Sequence, residues 1–290
     1  MEGGFTVTVV GLGLIGGSMA LAGKGFRSCR MQGINRSKAV LEQAIERGAI
    51  DAGASSTQEP EQTRRLLAQS DLTILCLYPE RSLEFLKQYG SAIRPGSVVT
   101  DACGIKGALV HGARELLPQA DFVGGHPMAG REVSGFDAAQ DDLFFGCNYV
   151  LTPMEWNKAE SVSLLREWAR YLGARRITVT TPENHDLMIA YTSQMAHVLA
   201  ASVANMSMLF DSKGFEGGSF RDITRVATLN DQMWSELFAL NEEALCTVLD
   251  ELIANLSELR GLIGQKDRAG IAQKLRQSTE RKKEWSEWKN

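Results

Sequence analysis

The chain has 290 residues, 44% of them hydrophobic and 23% charged. That is apolar material for about two packed domains, which excludes a disordered chain. Its 31 basic and 35 acidic side chains leave a net charge of −4 and a pI near 5.7, which argues against a nucleic-acid partner, whose phosphates call for a basic field.

The first element is an uncharged run, Phe5 to Gly23, 19 residues long and so as long as a membrane span. Glu2 precedes it, no basic n-region exists, and it carries Gly11, Gly13, Gly16, Gly17 and Gly23. It reads as a buried strand, Thr6–Val10, then a glycine turn and a helix. Arg30–Ile34 is a second strand, followed by a helix over Lys38–Arg47. Leu72–Leu77 is nearly all apolar and reads as a central strand covered on both faces. Pro79 then opens a helix, and Ser97–Thr100 is a strand ending at Asp101. Phe122–Val123, Tyr149–Thr152 and Ile177–Thr180 read as later strands. Strands separated by helices imply a doubly wound, Rossmann-type parallel sheet over residues 1–180.

After Thr181 the pattern becomes helical, over about 182–210, 231–262 and 266 to the end. Pro182 suits a helix N1 position, and no proline follows it. Ala196–Phe210 is interrupted by Ser202, Asn205 and Ser207, so it reads as a buried helix, and no second segment is expected to span a membrane. The apolar spacing of Phe238, Leu245, Leu249, Leu252, Ile253, Leu256 and Leu259 is helical and long enough to continue into a partner. Residues 181–290 are therefore expected to form an all-α domain that makes a homodimer. The five cysteines contain no CxxC pair and are expected to be free thiols in a reducing cytoplasm.

Two segments carry chemistry. Val10-Gly11-Leu12-Gly13-Leu14-Ile15-Gly16-Gly17 is a GxGxxG element that follows a strand and opens a helix. Gly11 permits the tight turn, Gly13 lets backbone approach a pyrophosphate, and Gly16 lets the helix pack on the strand. With Leu14 and Ile15 at the helix start, it forms an anion site at a helix N-terminus. Leu77, Tyr78 and Asp101, at the carboxyl ends of later strands, are expected to line the same crevice. At the end of the second strand stands Asn35-Arg36-Ser37 in place of the acid that would bond a ribose diol and repel a 2′-phosphate. A guanidinium and a hydroxyl favour NADP, while Asn35 leaves NAD open. The second segment is Gly124-Gly125-His126-Pro127-Met128-Ala129-Gly130, expected as a loop beyond a strand end, where ligands of α/β sheets bind. A histidine there suits proton transfer near neutral pH.

Gly11–Ser18, Gly124–Gly130 and Gly217-Gly218-Ser219-Phe220-Arg221-Asp222-Ile223-Thr224-Arg225 together resemble the prephenate/arogenate dehydrogenases, the TyrA family of tyrosine biosynthesis. The resemblance runs from residue 5 to about 285 and includes Tyr149–Pro153, His185-Asp186 and Met233-Trp234. It implies oxidative decarboxylation of prephenate to 4-hydroxyphenylpyruvate with hydride transfer to NAD or NADP, or of arogenate to tyrosine. It assigns His126 as the catalytic base and Arg225 to a substrate carboxylate. His197 would line the substrate cleft, with Gln194 at a position often occupied by histidine. Glu132 and Asp222 would stand near the cleft entrance.

One departure concerns Asp101-Ala102-Cys103-Gly104-Ile105-Lys106. Gly104 stands where many members have a serine that bridges histidine and substrate; Lys106 would contact substrate or close the site. The chain is also expected to carry neither a fused chorismate mutase nor an ACT regulatory domain. Competing readings are another two-domain reductase, of β-hydroxyacid or pyrroline-carboxylate type, and a sensor that binds NADP(H) without catalysis.

Overall fold

The computed structural model describes residues 4–131 and 133–288. Its first half is a parallel sheet of six strands: β1 Thr6–Val10, β2 Arg30–Asn35, β3 Ala52–Ser55, β4 Leu72–Leu75, β5 Val98–Asp101 and β6 Asp121–Phe122. Their order, β3-β2-β1-β4-β5-β6, with every pair parallel, is that of a Rossmann fold. The order reverses beside β1 and opens a crevice at the carboxyl ends of β1 and β4.

The β-branched run of β1 is wholly buried, and its pleat sends alternate side chains into two cores. Val7 and Val9 pack with Met19 and Ala20 of α1 (Leu14–Ala22), Leu41 and Ala44 of α2 (Lys38–Glu46) and Trp168 of α6 (Ala159–Tyr171). Val10 packs with Leu66 of α3 (Pro60–Gln69), Phe85 of α4 (Pro79–Tyr89) and Leu109 of α5 (Gly107–Leu116). Pro60 and Pro79 each open their helix, where a missing N–H costs nothing.

Two expectations about strands change. Tyr149–Thr152 and Ile177–Thr180 do not extend the main sheet. β7 (Gly124–Pro127), β8 (Asn148–Thr152) and β9 (Arg176–Val179) form a second sheet, in which β7 and β8 run antiparallel and β8 and β9 parallel. β3, Ala-Gly-Ala-Ser, is a strand built of small residues and has no apolar run to announce it.

After Thr181 the described residues are helical: α7 Pro182–Ile189, a π-helical turn Ala190–Gln194, α8 Met195–Ala204, α9 Gly218–Thr224, α10 Asp231–Leu240, α11 Glu242–Gly264 and α12 Arg268–Glu287. Side-chain caps start three of them, with Thr181, Asn230 and Asp267 accepting from Asn184 N, Met233 N and Gly270 N. The chain divides into two compact units: residues up to Asn241, and residues from Glu242 on, which comprise α11 and α12. Within the second unit Lys274 Nζ bonds Glu258 at 2.7 Å. The continuous helical segment 182–204 is, by length and composition, long and apolar enough to cross a membrane, contrary to the expectation that no such second segment exists. Its polar pair His185 and Asp186 is nonetheless buried within the fold.

Candidate active site

The glycine turn is closed around the end of β1. Gly11 has φ +90°, and a Cβ there would lie 2.5 Å from the Cys76 carbonyl oxygen. A Cβ on Gly16 would lie 1.9 Å from the Gly11 carbonyl oxygen, so the helix approaches the turn as closely as backbone permits. Gly13 is different: a Cβ there would meet nothing within 4 Å. Gly13 is also the N-cap of α1, and no side chain caps that helix. An uncapped helix N-terminus is the kind of place where a dinucleotide diphosphate can bind. Leu14 is buried and Ile15 half-buried at the helix start. Leu77 packs beside Gly11, and Tyr78 is 40% exposed at the start of α4.

Asn35 ends β2 with its Oδ1 accepting from Leu12 N at 3.3 Å and its Nδ2 donating to the Ser37 carbonyl at 3.4 Å. It thus ties the glycine turn to the start of α2. Ser37 caps α2 through Val40 N. The Arg36 carbonyl accepts from Ser55 Oγ at 2.9 Å, and Arg36 itself is exposed.

His126 lies on β7, paired with Val150 of β8, rather than on a loop. Gly125 N donates to Asp101 Oδ1 at 3.0 Å, which hangs this strand from the carboxyl end of β5, at the mouth of the crevice. The His126 Nδ1 and His185 Nε2 atoms are 2.9 Å apart, and His185 Nδ1 is 2.7 Å from Asp186 Oδ1. Asp186 also accepts from Lys106 N and Gly107 N, both at 2.7 Å. α5 has no side-chain cap of its own, so a carboxylate from α7 satisfies its first amides and complements its dipole. His185-Asp186 falls within the family resemblance, which assigns neither residue a role. The available signal was a histidine and an aspartate side by side in a helix that turns apolar from Leu187 to Ile189.

Two residues expected to touch ligands instead hold the site from beneath. Asp101 and Lys106 are both fully buried and paired with each other through Asp101 Oδ2 and Lys106 Nζ. Asp101 also accepts from Cys103 N at 2.8 Å. Neither side chain has surface to present to a cofactor or substrate. Gln194 is likewise buried: its Nε2 donates to the Leu237 carbonyl at 3.1 Å, and its Oε1 accepts from Asn241 Nδ2 at 2.7 Å. It ties the π-helical turn to α10 and does not line a cleft.

Gly104 offers no side chain, although a Cβ there would meet nothing nearer than Leu237 at 3.8 Å. Cys103 is buried, with its thiol toward the Leu77 carbonyl and its pKa pushed well up by burial, which makes it no nucleophile. His197 is half-buried, its Nδ1 2.9 Å from the Ser193 carbonyl and its ring stacked on Trp234 at 3.8 Å between centroids. Arg225 ends α9 on the surface, and Asp222 is exposed on the same helix. Glu132 lies outside the described residues.

Burial, reinforced by His185 and Lys106, holds the His126 imidazolium well below the usual histidine pKa of 6.5. Burial lowers His185 as well, partly offset by Asp186. Both rings are therefore neutral at neutral pH, as a proton acceptor must be. The linkage has a sign. As pH falls through about 6.5, the unfolded chain takes up protons that the folded chain refuses, so folded stability is full above that pH and declines below it. Thermal melts between about pH 7.5 and 5.5 are expected to show Tm falling on acidification, with a shallower fall in His126→Asn. A Tm independent of pH over that range would contradict the burial of these two rings.

A family model described as prephenate dehydrogenase, nucleotide-binding domain, matches residues 19–178, and one described as prephenate dehydrogenase, dimerization domain, matches residues 181–277. The chain is 32% identical over 270 residues to the prephenate dehydrogenase of Bacillus subtilis, covering 90% of this chain and 71% of that one. It is 30% identical over 269 residues to the cyclohexadienyl dehydrogenase of Zymomonas mobilis, covering 90% and 89%. The solved structure of the prephenate dehydrogenase of A. aeolicus in complex with hydroxyphenyl propionate and NAD+ superposes with a TM-score of 0.85 at 25% identity, covering 97% of this chain and 98% of that one. Synechocystis arogenate dehydrogenase superposes with a TM-score of 0.83 at 28% identity, covering 97% and 100%.

Proposed function

From the premise that this chain belongs to the prephenate dehydrogenase family, we propose that it oxidises and decarboxylates prephenate to 4-hydroxyphenylpyruvate, with His126 as the base. The observation that carries the reading is a neutral histidine hung at the carboxyl end of β5, beside a helix N-terminus left open for a diphosphate. Bound there, a nicotinamide dinucleotide supplies the acceptor for the hydride of the carbinol carbon. The chain's own part is proton handling and orientation. His126 takes the hydroxyl proton as the carbonyl develops. Loss of the ring carboxylate as carbon dioxide returns an electron pair to that oxygen, which recovers the proton as the ring aromatises. The reaction therefore consumes no net proton, and the same histidine serves as base and then acid. Arg225 suits a substrate carboxylate, because a guanidinium binds one in bidentate fashion. The His197–Trp234 stack offers a flat apolar wall to a six-membered ring.

Incubation with prephenate or arogenate and NAD or NADP, following reduced nicotinamide, tests the reading. Turnover of prephenate is expected; failure of all four pairs would overturn it. Arogenate is the alternative substrate, since relatives named for either substrate share this fold.

NADP is the coenzyme we favour, because no carboxylate ends β2 and Arg36 is exposed there. Glu59, the acid just after β3, is paired with Lys38 at 3.0 Å. Arg36→Ala is expected to raise KM for NADP by roughly 10-fold to 100-fold while leaving KM for NAD nearly unchanged. Equal effects on both coenzymes would refute a 2′-phosphate role.

Dimerisation through the helical half fits Ile253, Leu256, Ile263 and Leu275, all more than half exposed on α11 and α12. A cytoplasmic location fits five cysteines that are all free.

A further inference from the structure

The geometry points to Asp186 and His185 as a positioning relay that fixes which nitrogen of His126 takes the substrate proton, namely Nε2. This inference rests on His126 being the base, as read above.

The argument is one of hydrogen-bond bookkeeping. Three donors converge on the Asp186 carboxylate: Lys106 N, Gly107 N and His185 Nδ1, each at 2.7 Å. A carboxylate in that setting accepts only, so His185 Nδ1 carries a hydrogen. A neutral His185 then has its lone pair on Nε2. That atom stands 2.9 Å from His126 Nδ1, and two lone pairs cannot face each other at that distance. His126 Nδ1 therefore carries the hydrogen and donates, and the lone pair of His126 is on Nε2, which has no hydrogen-bond partner among the described residues. The chain of donors runs one way, His126 to His185 to Asp186, and ends on a carboxylate anchored at the N-terminus of α5.

The alternative makes the contrast concrete. A His185 ring without its aspartate could present N–H at Nε2, place the lone pair of His126 on Nδ1 and turn the reactive nitrogen inward. When the substrate O–H bond breaks, its hydrogen forms the N–H bond at His126 Nε2 and the oxygen keeps the bonding pair. The resulting imidazolium still donates through Nδ1 to His185, so the ring needs no reorientation between taking the proton and returning it. Gly104 contributes no hydroxyl to this arrangement, which leaves His185 as the described residue that holds His126 Nδ1.

Two measurements test the relay. Nitrogen NMR of the full-length protein labelled with 15N-histidine, without substrate, reads the tautomer directly. His126 is expected to show a pyrrole-type Nδ1 and a pyridine-type Nε2; the reverse pattern would overturn the proposal. In turnover, His185→Phe keeps a flat ring but offers no acceptor and is expected to lower kcat about 10-fold to 100-fold with coenzyme KM unchanged. His185→Gln, whose amide oxygen can accept from His126 Nδ1, is expected to recover most of that loss. Equal rates in the two variants, with both folded by circular dichroism, would refute the relay. The NMR result does not depend on the substrate, so a failed assay would remove the functional reading and leave the tautomer assignment standing.

Discussion

His126→Ala is expected to lower kcat by about 10²- to 10⁴-fold, the span that a positioned general base contributes. Coenzyme affinity should hardly change if the diphosphate binds, as proposed, at the glycine turn and the start of α1, on other elements of the fold. The informative experiment pairs turnover with a coenzyme titration by fluorescence. A loss in both would mean that the substitution had disturbed β7 rather than removed a base. An unchanged kcat would end the assignment of His126. The substitution takes a ring away from a partner, so His126→Asn is the better-behaved companion: it can still donate to His185 and should be as inactive as alanine.

Lys106→Met should produce the largest change in stability. Lys106 and Asp101 form an ion pair with both side chains fully buried. Truncating one partner leaves an uncompensated charge inside the fold, at a cost of about 3–5 kcal/mol. At roughly 2–4 °C per kcal/mol for chains of this size, Tm should fall by about 10 °C. Adding Asp101→Asn removes the stranded charge and should restore part of the loss. Recovery should be incomplete, because Asp101 also accepts from Cys103 N and Gly125 N, and an amide cannot accept both as a carboxylate does. The single variant should also lose activity, since Gly125 is the residue before His126 and its amide is fixed by the same carboxylate. A Tm within about 2 °C of the parent would show that the pair is not buried as described.

Much of the molecule was legible along the chain where the physical cause is local. A β-branched run followed by Gly-x-Gly-x-x-Gly can only be a strand, a tight turn and a close-packed helix, and that is β1 to α1. Prolines marked the starts of α4 and α7 for an equally local reason. His126 stood out because it follows a strand end, where ligands of α/β sheets bind, and because its side chain suits proton transfer near neutral pH. β3 was invisible, since four small residues carry no apolar period. The strand bearing His126 looks like a loop along the chain, because its ladder partner, Val150, lies on a different strand and nothing local announces the pairing.

The residues whose roles changed share one feature: their meaning depends on what lies opposite. Asp101, Lys106 and Gln194 are polar groups that a linear reading assigns to ligands, since polar side chains are usually exposed. Burial with partners converts them into supports, and burial is a property of the packed chain alone. His185 meets His126, 59 positions away, and Asp186 meets the amides that open α5. Sequence thus determined which chemistry the chain carries, because side-chain pKa range, backbone freedom and helix capping are set within a few residues. Tertiary structure decided how those groups are oriented and desolvated, because hydrogen-bond direction and burial arise only when distant groups are held within 3 Å of one another.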